Sequence, residues 1–107
     1  MSIPDVVSNG AAIPAVGFGT WPLKGEECEA AVRAALDAGY RHIDTAAMYG
    51  NEAEVGRGIK TSGKSREKVW ITTKVWQENI GAGRLQASAE ASLKALGVSQ
   101  VDLLLIH

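Results

Sequence analysis

The sequence predicts an α/β fold, the N-terminal half of a (β/α)8 barrel preceded by a β-hairpin. Short β-branched or aliphatic runs alternate with helix-periodic stretches, the order expected of parallel strands with helical crossovers. Polar residues close three of the runs, Asp44, Lys74 and His107, 30 and 33 residues apart (44 to 74, 74 to 107). A barrel of about 250 residues spends roughly 31 on each of its eight units. An open doubly wound sheet would instead call for a phosphate loop after its first strand. Neither Gly17-Phe18-Gly19-Thr20-Trp21-Pro22 nor Gly81-Ala82-Gly83-Arg84-Leu85-Gln86 completes G-x-G-x-x-G.

Each element has its own signal. Asn9-Gly10 between apolar arms predicts a tight hairpin over residues 6–13, broken by Pro14. Residues 16–20 read as the first barrel strand, glycine-rich where the backbone bends or something approaches closely. Residues 26–38 read as a helix with Cys28, Val32, Ala35 and Leu36 on one face, ended by Gly39. Cys28 on that face reads as core, not as a reactive thiol. His42-Ile43-Asp44 is a short buried strand. Residues 51–60 form the second helix, with Val55 and Ile59 inward; Gly56 and Gly58 either weaken it slightly or let it pack closely. Asn51 and Glu52 suit its first turn, where free N–H groups favour acceptors and negative charge. Residues 61–65 are a loop. Residues 69–75 are β-branched and aromatic, hence a strand, and 76–81 leave it as a loop. Residues 84–96 form the third helix, with Leu85, Ala89, Ser92 and Leu96 inward and Gly97 at its end. Residues 101–107 make a continuous apolar strand of the kind buried on both faces in parallel sheets.

Bulk properties narrow the function. The chain has 107 residues, a net charge of -1 and 21% charged residues. Without a basic excess, nucleic acid is not the expected partner. The aliphatic run 103–106 is far too short to cross a bilayer. No signal peptide is visible, and the single Cys28 cannot form an internal disulfide. These features predict a soluble cytoplasmic protein.

Parallel barrel strands present their C-terminal ends on one face. Asp44, Lys74 and His107 therefore converge there, joined by Tyr49 from the loop after Asp44. Taken alone, His107 after an apolar strand would read as a core histidine; the convergence is what makes it a site residue. An acid, a lysine, a tyrosine and a histidine around one pocket make a proton-donating site. An ammonium beside a phenol stabilises the phenolate, and a carboxylate keeps the ammonium charged and placed. A histidine can hydrogen-bond a carbonyl oxygen. Such a site contains no reductant of its own, so reduction there requires a bound hydride donor.

The stretch Gly39-Tyr40-Arg41-His42-Ile43-Asp44-Thr45-Ala46, followed after five residues by Glu52 and then by Val55-Gly56, resembles the signature of the aldo-keto reductases. In general appearance the chain is similar to bacterial members of the diketogluconate-reductase type. The resemblance implies NADPH-dependent reduction of aldehydes or ketones, NADH not being excluded, with a small-molecule carbonyl substrate. It implies a catalytic tetrad of Asp44, Tyr49, Lys74 and His107. Thr20, Trp21, Asp44 and Lys74 are implied to line the cofactor, and Trp21, Tyr49, Trp76 and His107 the substrate. No metal is implied. Two other readings stand beside it: a catalytically idle binding scaffold of the same fold, and a half-barrel that self-associates to complete its sheet.

The resemblance covers only the first half of the family's barrel, so residues 1–107 are expected to be a portion of a longer protein. The complete enzyme is expected to be a monomer. The isolated portion, with an aliphatic edge strand, is expected to self-associate and to bind NADPH weakly, since the family's pyrophosphate and adenosine grip lies in the other half.

Overall fold

Asn9 and Gly10, both at positive φ (51° and 80°), reverse the chain, so that β1 (Asp5–Ser8) pairs antiparallel with β2 (Ala11–Pro14). Such a turn has the twist that paired strands need. The computed structural model describes residues 4–81 and 83–107. Two contacts tie the hairpin to the N-terminal end of the sheet. Arg41 donates to Asp5 at 3.0 Å, and His42 Nδ1 donates to the Pro14 carbonyl at 3.1 Å.

Strand and helix then alternate: β3 (Gly17–Gly19), α1 (Gly25–Ala38), β4 (His42–Asp44), α2 (Glu52–Thr61), β5 (Trp70–Val75), α3 (Arg84–Leu96) and β6 (Leu103–Ile106). The four later strands form one parallel sheet in chain order, β3-β4-β5-β6, with a helix on every crossover. This is the predicted half-barrel arrangement. The segment 76–81, expected to be a plain loop, contains a 3-10 turn at Gln77–Asn79; two more 3-10 turns lie at Arg66–Lys68 and at Ala47–Tyr49, which carries the site tyrosine.

The register places Phe18 beside Ile43 and Ile43 beside Ile71. These side chains face the helices, where Cys28, Val32, Leu36, Val55, Ile59 and Leu96 close over them. Cys28 is fully buried; burial foremost, then the Glu54 carboxylate, raises its thiol pKa against the lowering effect of Lys24 and Arg57. Alternate strand residues fall on the other face of the sheet. There the Thr72 hydroxyl donates to His42 Nε2 at 2.8 Å and accepts from Trp70 Nε1 at 3.1 Å.

Gly56 and Gly58 serve close packing. A Cβ on Gly56 would stand 2.3 Å from the Leu96 carbonyl oxygen, and one on Gly58 would stand 2.8 Å from the Glu29 carbonyl oxygen. The backbone of α2 thus lies against both neighbouring helices.

Two expectations are corrected. Leu85 is exposed, because α3 is held against α2 at its C-terminal end, through Gly56 and Leu96, and its first turn stands clear. β6 is not buried on both faces: Leu104 and Leu105 are about two-fifths exposed and Ile106 is 64% exposed. It pairs with β5 alone and is the outermost strand of the sheet. Asn51 and Glu52 do stand at the start of α2, Asn51 at its N-cap and Glu52 in its first turn, but the Asn51 side chain caps none of the helical N–H groups. Both side chains are buried. Glu52 accepts from Thr73 Oγ1 at 2.5 Å and from Ser92 Oγ at 3.0 Å, joining α2 to β5 and α3.

Just before β6, Asp102 locks onto β5. Its backbone amide donates to the Ile71 carbonyl at 2.9 Å, and its carboxylate accepts from the Ile71 amide at 2.8 Å. Arg66 donates to the same carboxylate oxygen at 3.0 Å.

Candidate active site

Asp44 is the last residue of β4, Lys74 the penultimate residue of β5, and His107 directly follows β6. Parallel pairing brings all three to the same end of the sheet. Tyr49 joins them from the 3-10 turn after β4. Lys24, at the start of α1, donates to the Tyr49 carbonyl and so anchors that turn.

Lys74 is the hub. Its ammonium has three hydrogens, and three acceptors surround it: Asp44 Oδ1 at 2.5 Å, the Thr45 carbonyl at 3.2 Å and the Tyr49 phenol oxygen at 3.0 Å. Burial works to lower the Lys74 pKa. The hydrogen bonds and charges of Asp44 and Tyr49 outweigh it, and the net pKa lies above the ordinary lysine value. Lys74 is therefore a cation at neutral pH with no hydrogen to spare. The Tyr49 oxygen accepts from it, which leaves the phenol's own O–H free to donate outward. Asp44 Oδ2 has no partner among the described residues, and the side chain is 39% exposed.

Aromatic rings line the opening. The Trp21 ring centroid lies 5.4 Å from that of Tyr49, Tyr49 lies 5.8 Å from His107, and His107 lies 5.4 Å from Trp76. The two histidine contacts are edge-on, at 85° and 88°. His107 is exposed, and its ring nitrogens have no hydrogen-bond partner among the described residues, so they are available to a ligand. Thr20 is placed differently from the other residues singled out by sequence. It is fully buried, and its hydroxyl donates to the Asp44 carbonyl at 3.2 Å.

Sequence reasoning passed over three participants. Thr45 supplies the carbonyl that holds Lys74, Lys24 holds the tyrosine's backbone, and Asn51 ties Thr45 to the Trp21 turn. Thr45 and Asn51 lie inside the recognised motif, six residues apart, but side-chain partners across a fold leave no periodic trace. No group of three or more potential metal ligands occurs among the described residues. No described helix is long and apolar enough to cross a membrane. A groove of about 550 Å³ runs between α2 and α3 past Arg57, Lys60 and Lys64 and includes none of the four clustered residues.

Comparison with known proteins places the chain's sequence and fold. The sequence profile of the Aldo/keto reductase family matches residues 15–107. An aldo-keto reductase of Mycolicibacterium smegmatis is 49% identical over 107 residues, covering 100% of this chain and 39% of that protein. Among solved structures, one described as a 2,5-diketo-D-gluconic acid reductase B superposes with a TM-score of 0.93 at 50% identity, covering 98% of this chain and 37% of that one. The Bombyx mori aldo-keto reductase in complex with NADP superposes with a TM-score of 0.92 at 37% identity, covering 100% and 38%. The chain spans about two-fifths of the length of the curated relatives it matches.

Proposed function

Because the chain belongs to the aldo/keto reductase family, we propose that the enzyme carrying it reduces aldehydes or ketones to alcohols, with Tyr49 as proton donor and NADPH as cofactor. The observation that carries the reading is the threefold donation of Lys74, which leaves the Tyr49 O–H as the free donor of the cluster.

The residues present fit the nicotinamide end of such a cofactor. Asp44 keeps one carboxylate oxygen free for amide or hydroxyl donors, and the exposed Trp21 indole offers an apolar wall beside Tyr49. Asp44 and Trp21 would hold that end, with Lys74 and the buried Thr20 fixing them from behind. When bound, the reduced cofactor supplies a hydride to the carbonyl carbon.

Everything else falls to the chain itself. His107 and the Tyr49 O–H both hydrogen-bond the carbonyl oxygen and orient it. As negative charge grows on that oxygen, the phenol proton moves to it and the alcohol forms. The charge left on the phenol oxygen faces the Lys74 ammonium at 3.0 Å. Asp44 holds that ammonium in place, and water returns the proton to Tyr49. Charge stabilisation of this kind is strongest when the groups are fixed in advance, and the three bonds of Lys74 fix them.

Tyr49→Phe in the full-length enzyme tests the assignment, since it removes the proton and keeps the ring. General acid catalysis is worth about 10²–10⁴-fold, so turnover should fall by that order, with cofactor affinity, read by nicotinamide fluorescence, nearly unchanged. Reduction of an activated aldehyde at the original rate would remove Tyr49 from the role.

A further inference from the structure

We infer that Asn51 is a positioning residue that holds the Trp21 turn beside the proton donor and so sets which carbonyl substrates the pocket admits. Its side chain is fully buried and every polar hydrogen on it is used. Nδ2 donates to the Thr20 carbonyl at 3.2 Å and to the Leu23 carbonyl at 3.0 Å; Oδ1 accepts from Thr45 Oγ1 at 2.8 Å. One amide thus grips both ends of the turn 20–23 and binds it to the residue whose carbonyl holds Lys74.

The position of Trp21 depends on that turn. The residue is 61% exposed, and its described ring contacts are the Tyr49 ring and the Lys24 ammonium, 6.0 Å from the indole centroid. Its ring lies 5.4 Å from the Tyr49 ring, at the opening through which a substrate carbonyl must reach the phenol. The other contacts of the turn, Thr20 N and Oγ1 to the Asp44 carbonyl at 3.0 and 3.2 Å and Leu23 N to the Thr20 carbonyl at 2.8 Å, fix its first residue and its internal closure. Among the described residues, Asn51 is the one side chain outside the turn that bonds both its first residue and its last. Losing it should let the indole swing while Asp44, Lys74 and Tyr49 keep their own bonds.

The test uses the full-length enzyme and has two arms. In the first, kcat/KM is measured for a small aldehyde and for a bulky aryl ketone, in wild type, Asn51→Ala, Trp21→Ala and the double variant. A 1 Å displacement can change rates by orders of magnitude, so Asn51→Ala should change the ratio of the two substrates by about tenfold or more, mainly through KM. In the Trp21→Ala background the same substitution should change the ratio by less than about twofold, since contacting residues are not additive. Equal losses for both substrates, or multiplicative effects, would overturn the inference.

The first arm rests on the carbonyl-reductase reading; the second does not. Protein labelled with 5-fluorotryptophan reports Trp21 by ¹⁹F NMR, assigned with Trp21→Phe. The Trp21 resonance should move or broaden in Asn51→Ala, and that of Trp70, at the other end of the sheet, should stay. If both move alike, or neither moves, Asn51 is not positioning Trp21. Should Asn51→Ala fail to fold, Thr45→Val, which removes only the hydroxyl that fixes the amide, carries both arms. Failure of both variants to fold would assign the network to structure alone and overturn the inference.

Discussion

Lys74 spends all three of its hydrogens inside the cluster, and this makes its charge a stabilising as well as a chemical device. The folded protein holds the Lys74 proton more tightly than the unfolded chain does, since its bonds to Asp44 and Tyr49 outweigh the opposing effect of burial. A raised lysine pKa means that the unfolded chain binds fewer protons as pH climbs past the ordinary lysine value. Stability therefore falls with rising pH in that window and is unaffected below it. Lys74→Met in the full-length enzyme should flatten the alkaline end of the stability curve, measured by urea unfolding from pH 7 to pH 11, with the neutral end uniformly lower. An alkaline slope identical to wild type would mean that the group responsible lies elsewhere. Tyr49→Phe, by contrast, should cost turnover and reduce this slope, since Tyr49 is one of the two groups that raise the Lys74 pKa, while Asp44 still holds the ammonium.

Helix α2 shows how an element is fixed by what it lacks. The sequence leaves Gly56 and Gly58 ambiguous between a weak helix and a close one, and only the neighbours decide. Gly56→Ala would gain about 1 kcal/mol of helix propensity, but its Cβ would sit 2.3 Å from the Leu96 carbonyl oxygen. Overpacking of this kind costs about 1–3 kcal/mol, occasionally more, and a backbone atom cannot turn aside as a side chain can. A lower Tm is the expected result, read by calorimetry; a raised Tm would show that α2 and α3 can separate freely. The same contrast governs what was legible in advance. Elements announced by local chemistry, the Asn9-Gly10 turn, the Gly39 and Gly97 helix ends and the β-branched run of β5, appear within a residue or two of their expected places. Asp44, Lys74 and His107 were legible because strand ends in a parallel sheet share a face. Asn51 and Glu52 stand at the helix start as their types suggest, but their partners were not legible, because nothing local reveals that Thr45, Thr73 and Ser92 lie within reach. Leu85 was misjudged for the converse reason: helical spacing marks an apolar stripe but not how far along the helix its neighbour extends.

At the scale of the whole chain, the sheet has two outer strands, β3 and β6, each paired on one side. Leu104, Leu105 and Ile106 give β6 an exposed aliphatic edge, of the kind that recruits further strands. We propose that residues 1–107 expressed alone self-associate, and that they bind NADPH weakly. Sedimentation should give dimers or larger species; a monodisperse monomer with tight cofactor binding would contradict this. This strand leads directly into His107, so an exposed edge delivers a residue that must stand within reach of Tyr49. Side chains alternate along a strand, and a slip of one position would send the imidazole to the opposite face. A uniform run of leucines offers little to distinguish one alignment from the next. The Asp102 clamp does distinguish them: its amide and carboxylate seize the carbonyl and amide of Ile71, and only one alignment satisfies both. Asp102 thus works as the zero mark of a ruler, and the imidazole is read off five positions further along.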